Sequence, residues 1–252
     1  MKKLPFRAVL LGLLASGALF YAVHSETPTQ AAVEMPAASY LKGLSWLGHA
    51  AFKLVRGEVT IYMDPWKIQT TPHDADIILV SHPHFDHLDT DDIAKIAKQD
   101  TVIVTVEGCA LKIEQAHLPG SVLLVKPGDK VKVKGIQIEA VPAYNTNKVF
   151  HLRQNQWVGF IIEIDGERIY FAGDTDLIPE MKNFNNIDVA LLPVSGTYCM
   201  NAVEAAQAVK IMNPKVSVPM HYGTIVGSAA DAKKFQSLCS SQIVEILPSE
   251  KK

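Results

Sequence analysis

The chain carries three histidines and one aspartate within six consecutive positions, at His82, His84, Asp86 and His87. Crowded imidazoles repel one another when they are charged and need partners when they are buried, so this HxHxDH loop, residues 82–87, is costly unless it binds a cation. A divalent transition metal, most plausibly zinc, satisfies such donors. The alternative is a loop whose histidines only cap a helix that begins near Thr90.

The elements around the loop also indicate a binding site. Residues 75–80 form a short run rich in β-branched side chains, which predicts a buried strand that ends at Ser81. The loop then lies at the carboxyl end of a strand, where α/β folds usually bind ligands. On such a loop His82 and His84 can point to one side, while Asp86 and His87 reach a second point about 3.5–4 Å away, the usual spacing of two-metal hydrolytic sites.

Further segments extend this pattern in a fixed order along the chain. They are residues 46–51, 61–65, 171–175 and 219–223. Together with the HxHxDH loop they resemble the metallo-β-lactamase superfamily, and most closely its ascorbate-6-phosphate lactonase-like branch of metal-dependent hydrolases. The resemblance implies an α/β (α+β) fold, a four-layer αββα sandwich.

The resemblance also implies which residues bind metal. His82 and His84 would hold a first ion, while Asp86, His87 and His221 would hold a second one. Asp174 would bridge the two ions, so that Asp86 and Asp174 are the expected catalytic residues. The expected cofactor is one or two Zn²⁺ ions, with Mn²⁺ or Fe²⁺ as alternatives.

One position departs from the family pattern. Family members commonly add a further histidine to the first metal, and Asn145 stands where that histidine is expected. An amide oxygen is a harder and weaker ligand than imidazole, so the first site would bind zinc less tightly or prefer manganese or iron. Asn145 is also interpretable as a ligand through water, a turn residue or a substrate contact.

Other polar residues are weaker candidates for contacts with the substrate. The stretch from Asn145 to Arg153 predicts a loop over the metals, in which Lys148 and Arg153 could meet an anionic group. The alternative is an ordinary solvated loop. His49 would line the pocket or make a structural hydrogen bond. The candidates for protonating the leaving group are Tyr144, His151 and Tyr222.

Asp64 precedes Pro65 in a predicted turn beneath the metal loop. A carboxylate there could accept a hydrogen bond from the free ring nitrogen of a metal-bound histidine, which fixes the tautomer of that ligand. A simple turn role for the Asp-Pro pair is the competing interpretation.

The N-terminus predicts export. Basic residues precede an apolar segment, residues 8–23, and a polar stretch with small residues follows it. We therefore expect a signal peptide or an uncleaved membrane anchor over residues 1–25, a flexible linker over 26–40 and a hydrolase domain over 41–252. The expected location is periplasmic or otherwise extracytoplasmic.

Charge and cysteine content exclude several classes of partner and fold. Removal of the leader would take three basic residues and change the formal net charge from −2 to −5. Such a chain, without a basic patch interleaved with aromatic residues, has little electrostatic support for nucleic-acid binding. The three cysteines are few and far apart, which argues against a disulfide framework and against cysteine chemistry. A small-molecule substrate is the expected partner.

Short strands recur between helical patterns along the rest of the chain. Beside 75–80 they are predicted at 44–47, 51–55, 59–63, 102–106, 122–125, 131–141, 157–164, 168–172, 188–192, 216–218 and 243–246. A helix is predicted near 201–212, with a capping box of Asn201 and Glu204. This order predicts two packed sheets that are flanked by helices.

These observations predict a metal-dependent hydrolase. Its metal-activated water would cleave an ester, lactone, amide or phosphodiester bond of a small or lipid-like substrate. The alternative is a metal-binding or sensing protein that has the same fold but no turnover.

Overall fold

Two mixed β-sheets form the framework in the computed structural model, which describes residues 36–250. The first sheet has six strands, paired in chain order: β1 (Leu44–Gly48), β2 (Ala51–Arg56), β3 (Val59–Met63), β4 (Ala75–Leu79), β5 (Ala97–Thr105) and β6 (Ser121–Leu124). Strands β1 to β3 pair antiparallel, whereas β3 to β6 pair parallel.

The second sheet repeats this plan with seven strands. They are β7 (Lys130–Val133), β8 (Ile136–Pro142), β9 (Val158–Ile164), β10 (Glu167–Phe171), β11 (Val189–Pro193), β12 (Val216–Met220) and β13 (Ile243–Val244). Strands β7 to β10 pair antiparallel and β10 to β13 pair parallel. The helices are α1 (Ala37–Tyr40), α2 (Thr90–Ile96), α3 (Glu107–Gln115), α4 (Ala202–Met212) and α5 (Ala229–Leu238), with 3₁₀ turns at Arg153–Asn155 and Pro179–Asn183.

The core lies between the sheets and beneath the helices. Every residue of β4, β11 and β12 is buried, as expected for parallel strands that are covered on both faces. Phe52 of β2 and Phe171 of β10 meet across the core with ring centroids 6.4 Å apart in an edge-to-face arrangement. The predicted four-layer αββα sandwich is confirmed.

The topology brings several strand ends to one edge. Asp64 follows β3, the HxHxDH loop follows β4, Asp174 follows β10 and His221 follows β12. Gly173 permits the close approach of the two sheets, because its φ is +60° and an added Cβ would lie 3.0 Å from the Cβ of Ser81. The topology therefore brings together four segments that carry histidine or aspartate side chains.

Most predicted elements are present, but the strand predicted over 131–141 is wrong. The structure divides it into β7 and β8, which form a hairpin closed by Lys134 and Gly135. Both turn residues have positive φ, +47° and +85°, as a type I′ hairpin requires. The capping box of α4 is confirmed, since Asn201 accepts from the backbone of Glu204 and Glu204 accepts from the backbone of Asn201.

The N-terminal predictions fall largely outside the described residues. The signal or anchor over residues 1–25, with its apolar segment 8–23, is not described, and export stays a prediction. The predicted linker 26–40 differs at its end, where Ala37–Tyr40 form one helical turn. Within residues 36–250, no helix combines the length and the apolar character that a membrane crossing needs.

Asp76 lies near the start of β4, at the end of the strand opposite the HxHxDH loop, and binds three donors. Its carboxylate accepts hydrogen bonds from the Thr60 backbone at 2.8 Å, from Lys98 at 2.6 Å and from Lys134 at 3.3 Å. Burial opposes its ionisation, but these donors outweigh burial and lower the pKa of Asp76 below its ordinary value. We expect Asp76→Asn to reduce the free energy of unfolding at pH 7 by about 1–2 kcal/mol.

This loss should depend on pH in a defined direction. Because the pKa of Asp76 is lower in the folded state, its stabilisation is complete above the unfolded pKa and disappears as pH falls through the folded pKa. Urea unfolding from pH 7 downwards should show the wild type and Asp76→Asn converging in acid. The control is Asp100→Asn, whose side chain is 68% exposed and also contacts Lys134. If Asp76→Asn and Asp100→Asn lost the same free energy of unfolding at pH 7, the prediction would be contradicted.

Candidate metal centre

The HxHxDH loop is a tight turn that sets its polar side chains side by side. The backbone N–H groups of His87 and Leu88 both donate to the carbonyl of His84, at 3.0 and 2.8 Å. Leu88 is fully buried and anchors the end of the turn in the core. The helix-capping alternative is wrong, because the cap of α2 is Asp89, which accepts from the N–H of Asp92.

Three imidazoles converge in what we call the histidine cluster, His82, His84 and His151. Nε2 of His82 lies 3.0 Å from Nδ1 of His84 and 3.3 Å from Nε2 of His151. A tetrahedral zinc ion with bonds of about 2.0–2.1 Å separates its ligand atoms by about 3.3 Å. Burial, followed by the charge of His87, holds the pKa of His82 well below its usual value, which favours the neutral form that binds metal.

His151 takes the place in this cluster for which the sequence suggested Asn145. Nδ1 of His151 lies 3.1 Å from the carbonyl of Tyr198 and 3.3 Å from Oδ1 of Asn145, so it donates there and leaves Nε2 free to bind. The amide of Asn145 donates to Asp176 and to the Tyr198 carbonyl. The expectation of an incomplete first site is therefore wrong, because a third histidine lies six residues further along and Asn145 orients it.

A second group of ligand atoms forms the mixed cluster, Asp86, His87 and His221. Oδ2 of Asp86 lies 3.6 Å from Nε2 of His87 and 3.8 Å from Nε2 of His221. Burial opposes the charge of Asp86, but the hydrogen bond from His49 and the charge of His87 outweigh it and lower the pKa of Asp86 to about 2. Asp86 is therefore an anion at neutral pH.

Asp174 lies between the two clusters. Its Oδ2 is 3.3 Å from Nε2 of His151 and 3.1 Å from Nε2 of His221, while its Oδ1 is 3.5 Å from Nε2 of His87. Burial opposes its ionisation, but His221 and His87 hold the pKa of Asp174 well below its usual range. One carboxylate thus reaches ligand atoms of both clusters, as a bridging ligand must.

The donor set fits divalent ions. Nε2 of His87, Nε2 of His221 and Oδ1 of Asp174 are buried and have no partner in hydrogen-bond geometry, although both nitrogens lie 3.1–3.5 Å from oxygens of Asp174. Burial opposes the charge of both rings, but Asp174 outweighs it and raises the pKa of His87 to about 10 and that of His221 well above its usual value, so a metal would replace a proton on each. Buried polar atoms without partners are costly in a folded protein, and a cation among them removes that cost. Imidazole with carboxylate suits zinc, iron or manganese. His49, Asp64 and Cys199 also lie close enough to these groups to hold an ion. We take as the ligand set the seven residues His82, His84, His151, Asp86, His87, His221 and Asp174.

Asp64 supports ligands of both clusters from behind. Its Oδ2 accepts from Nδ1 of His87 at 2.6 Å and from the hydroxyl of Ser81 at 2.6 Å, and its Oδ1 accepts from the Ser81 backbone. The Ser81 hydroxyl oxygen in turn lies 2.8 Å from Nδ1 of His82. The contact that the sequence suggested for Asp64 is present at His87, and Ser81 extends it to His82.

His49 is buried and holds Asp86. Its Nε2 lies 2.9 Å from Oδ2 of Asp86, and its Nδ1 lies 2.9 Å from the hydroxyl of Thr224. Burial lowers the pKa of His49 to about 4, so the ring is neutral at pH 7. A neutral ring that donates from Nε2 to the carboxylate accepts the Thr224 hydroxyl at Nδ1. Of the two roles predicted for His49, the structure shows the structural hydrogen bond, which positions Asp86.

Cys199 lies closer to the site than its sequence position indicates. Its Sγ is 3.7 Å from Nδ1 of His221, and the hydroxyl of Ser195 is 3.2 Å from the same nitrogen. These groups fix the ring of His221 on the side away from Asp174. Cys109, Cys199 and Cys239 are all buried, and none of them forms a disulfide in the structure.

Four residues that were predicted to contact the substrate do not line the cavity above the two clusters, which is described below. Lys148 pairs with the buried carboxylate of Asp176. Arg153 pairs with Glu180 at 2.8 Å, and the hydroxyl of Tyr144 donates to Glu180 at the same distance. Tyr222 is buried against Trp46, with ring centroids 4.8 Å apart. The structure therefore does not bring these four side chains to the lining of the cavity, and their contact with a substrate stays a prediction.

A cavity of about 290 Å³ opens directly above both clusters. Beside cluster residues, its lining consists of Phe85, Phe150, Tyr198 and Ile225. None of the four was among the residues predicted for the site. Phe85 and Phe150 are neighbours in sequence of ligand histidines, and that adjacency was the available signal. Tyr198 and Ile225 enter only through folding.

Comparisons with known proteins agree with this geometry. The family model described as the beta-lactamase superfamily domain matches residues 43–221. A UPF0173 metal-dependent hydrolase of Thermococcus onnurineus is 34% identical over 219 residues, which covers 81% of this chain and 96% of the relative.

Solved structures give the same result. A crystal structure assigned as a metal-dependent hydrolase from Parabacteroides distasonis has a TM-score of 0.70 and 34% identity, and the match covers 82% of this chain and 93% of that one. Igni18, a metallo hydrolase from Ignicoccus hospitalis, has a TM-score of 0.68 and 28% identity, with 82% and 95% covered. The chain therefore belongs to the metallo-β-lactamase superfamily, in which it is a metal-dependent hydrolase.

Proposed function

We propose that the histidine cluster and the mixed cluster each hold one divalent zinc ion, with Asp174 shared between them. The substrate is a small or lipid-like molecule with an ester, lactone, amide or phosphodiester bond. The observation that carries this proposal is the set of buried atoms without hydrogen bonds on His87, His221 and Asp174, which face one another at the carboxyl ends of the strands. The resemblance of the sequence to the lactonase-like branch is the reason that lactones are among the proposed substrates.

Such ions, when bound, polarise the bond under attack and lower the pKa of a water so that hydroxide forms near neutral pH. The residues of the chain supply the orientation. Asp86 lines the cavity and is ionised, with one oxygen held by His49, so its other oxygen is available to orient the attacking water or take its proton. Phe85 and Phe150 at the mouth limit the access of other water molecules.

The leaving group requires a proton. Tyr144 and Tyr222 are committed elsewhere in the fold, and His151 presents its Nε2 to the histidine cluster. Among the described residues that line the cavity, Tyr198 is the one with a polar side chain outside the clusters. We therefore assign the donation of a proton to the leaving group to Tyr198.

Metal content and turnover, measured on one preparation, test the proposal. We expect about two equivalents of metal per chain, and hydrolysis of a chromogenic substrate from a panel of esters, lactones and phosphodiesters. His84→Ala should lower the metal content and reduce kcat/KM by about 10²-fold or more, because the histidine cluster loses a ligand.

The matched control is His117→Asn, since His117 is exposed and its φ of +50° suits asparagine. It should leave metal content and turnover unchanged. Full activity in His84→Ala would refute the metal mechanism. Tight binding of metal without turnover of any substrate would favour the metal-binding or sensing alternative.

A further inference from the structure

We propose that the cavity selects an uncharged acyl substrate, an ester or lactone with an apolar arm, and that it discriminates against phosphodiesters and other anions. This inference rests on the proposed function, because it concerns the substrate of the same site. It is carried by the lining of the cavity, by the pairing of the nearby cations and by the charge of the metal-binding residues.

The lining outside the clusters is mainly apolar, and it is exposed to an unusual degree. Phe85 is 62% exposed, Phe150 is 45% exposed and Ile225 is 42% exposed. Phe150 packs edge-to-face on Tyr198 with centroids 4.7 Å apart, which gives one side of the cavity a fixed aromatic wall. Large apolar side chains grouped at the mouth of a reactive site mark a ligand-binding surface rather than random exposure.

The two cations predicted to bind an anion each pair with a carboxylate, Lys148 with a buried one and Arg153, whose side chain is 72% exposed, with one at the surface. Lys148 pairs with Asp176, and Arg153 pairs with Glu180 and lies over the ring of Tyr144. Neither Lys148 nor Arg153 lines the cavity, and its described lining contains no lysine or arginine. A phosphate group that entered would find no side-chain cation to replace its hydration.

The acidic residues of the site offset the charge of the expected ions. Asp64, Asp86 and Asp174 are all buried within or directly behind the clusters. Carboxylates among and directly behind the ligands offset part of the charge of two dications, so an anion would meet less net positive charge there than at a site without them. An uncharged carbonyl group does not depend on net charge for binding, and bound metal ions would still polarise its oxygen. A volume of about 290 Å³ lies at the lower limit of ligand pockets, of about 300–1,000 Å³, and suits a short arm.

The first experiment measures hydrolysis across a series of p-nitrophenyl esters with the metal-loaded, full-length protein. We expect kcat/KM to rise by about tenfold or more from the acetate ester to the hexanoate ester. The added methylene groups are transferred from water to the apolar wall of the cavity, which stabilises the bound ester. Dibutyl phosphate, an anionic phosphodiester with apolar arms, should inhibit hexanoate hydrolysis at least about tenfold more weakly than the uncharged 2-nonanone, a comparison that does not depend on intrinsic reactivity. A flat series, or preference for the phosphodiester, would overturn the inference.

A second readout does not depend on turnover. Binding of 2-nonanone, an uncharged ketone that cannot be hydrolysed, is measured by calorimetry against Phe150→Ala. We expect Phe150→Ala to weaken binding about fivefold or more and to flatten the ester series, because one wall is removed. The control is Val149→Ala, which alters a neighbouring side chain that is 76% exposed and does not line the cavity.

The two readouts separate failure of this inference from failure of the proposed function. If no substrate is hydrolysed but 2-nonanone binds in a Phe150-dependent manner, the apolar site stands and the hydrolytic proposal fails. If esters are hydrolysed without any dependence on chain length and the ketone does not bind, the hydrolytic proposal stands and this inference fails.

Discussion

Replacement of Asp174 by Asn is expected to remove at least one metal equivalent and to lower kcat/KM by about 10³-fold or more. Asp174 is the carboxylate that approaches nitrogens of His151, His221 and His87, and therefore both clusters. The amide has nearly the same shape but carries no charge, so it cannot offset two dications. A loss of about 4 kcal/mol of transition-state stabilisation corresponds to this reduction in rate.

The measurement is metal content by elemental analysis together with steady-state kinetics on the best ester of the panel. Asp165→Asn is the matched control, because Asp165 undergoes the same chemical change in an exposed hairpin turn where its φ of +52° suits asparagine. It should retain both metals and full activity. Two tightly bound equivalents in Asp174→Asn would show that this residue does not bridge the sites.

Asp64→Asn is expected to weaken metal binding at both clusters by about 10–100-fold, although Asp64 touches no ion in the proposed arrangement. Its carboxylate accepts from His87 directly and reaches His82 through Ser81. An amide offers one acceptor where this network needs two, so an N–H of the variant would face another donor. Both imidazoles would lose the partner that fixes their tautomer.

This prediction is tested by titration with Zn²⁺ and by activity at rising metal concentration. A positioning role requires that excess metal restores much of the activity of Asp64→Asn, which a simple folding defect would not allow. Asp74→Asn serves as control, since that carboxylate pairs with Lys53 and Tyr62 at the opposite end of the same sheet. Unchanged affinity in Asp64→Asn, or equal losses in Asp74→Asn, would contradict the prediction.

Local sequence patterns were sufficient for the parts of the molecule that depend on neighbours in the chain. The buried run before Ser81 predicts β4, and its end places the HxHxDH loop. The capping box of Asn201 and Glu204 predicts the start of α4 within one residue. The prediction of one strand over 131–141 is wrong because Lys134 and Gly135 both adopt positive φ and reverse the chain there, although the alternation of side chains continues on either side.

The order of short strands and helices predicted the fold class, and residue type and spacing predicted the polar loop of His82, His84, Asp86 and His87. The family resemblance implied that Asp174 and His221 meet this loop. All of these signals lie in short segments of the sequence. Only the tertiary structure decided that His151 completes the histidine cluster, that Asn145 orients it, and that Lys148 and Arg153 are paired elsewhere. Those outcomes depend on contacts with Tyr198, Asp176 and Glu180, which lie tens of positions away. The direction in which a loop side chain points is set by such distant partners, and no local pattern records it.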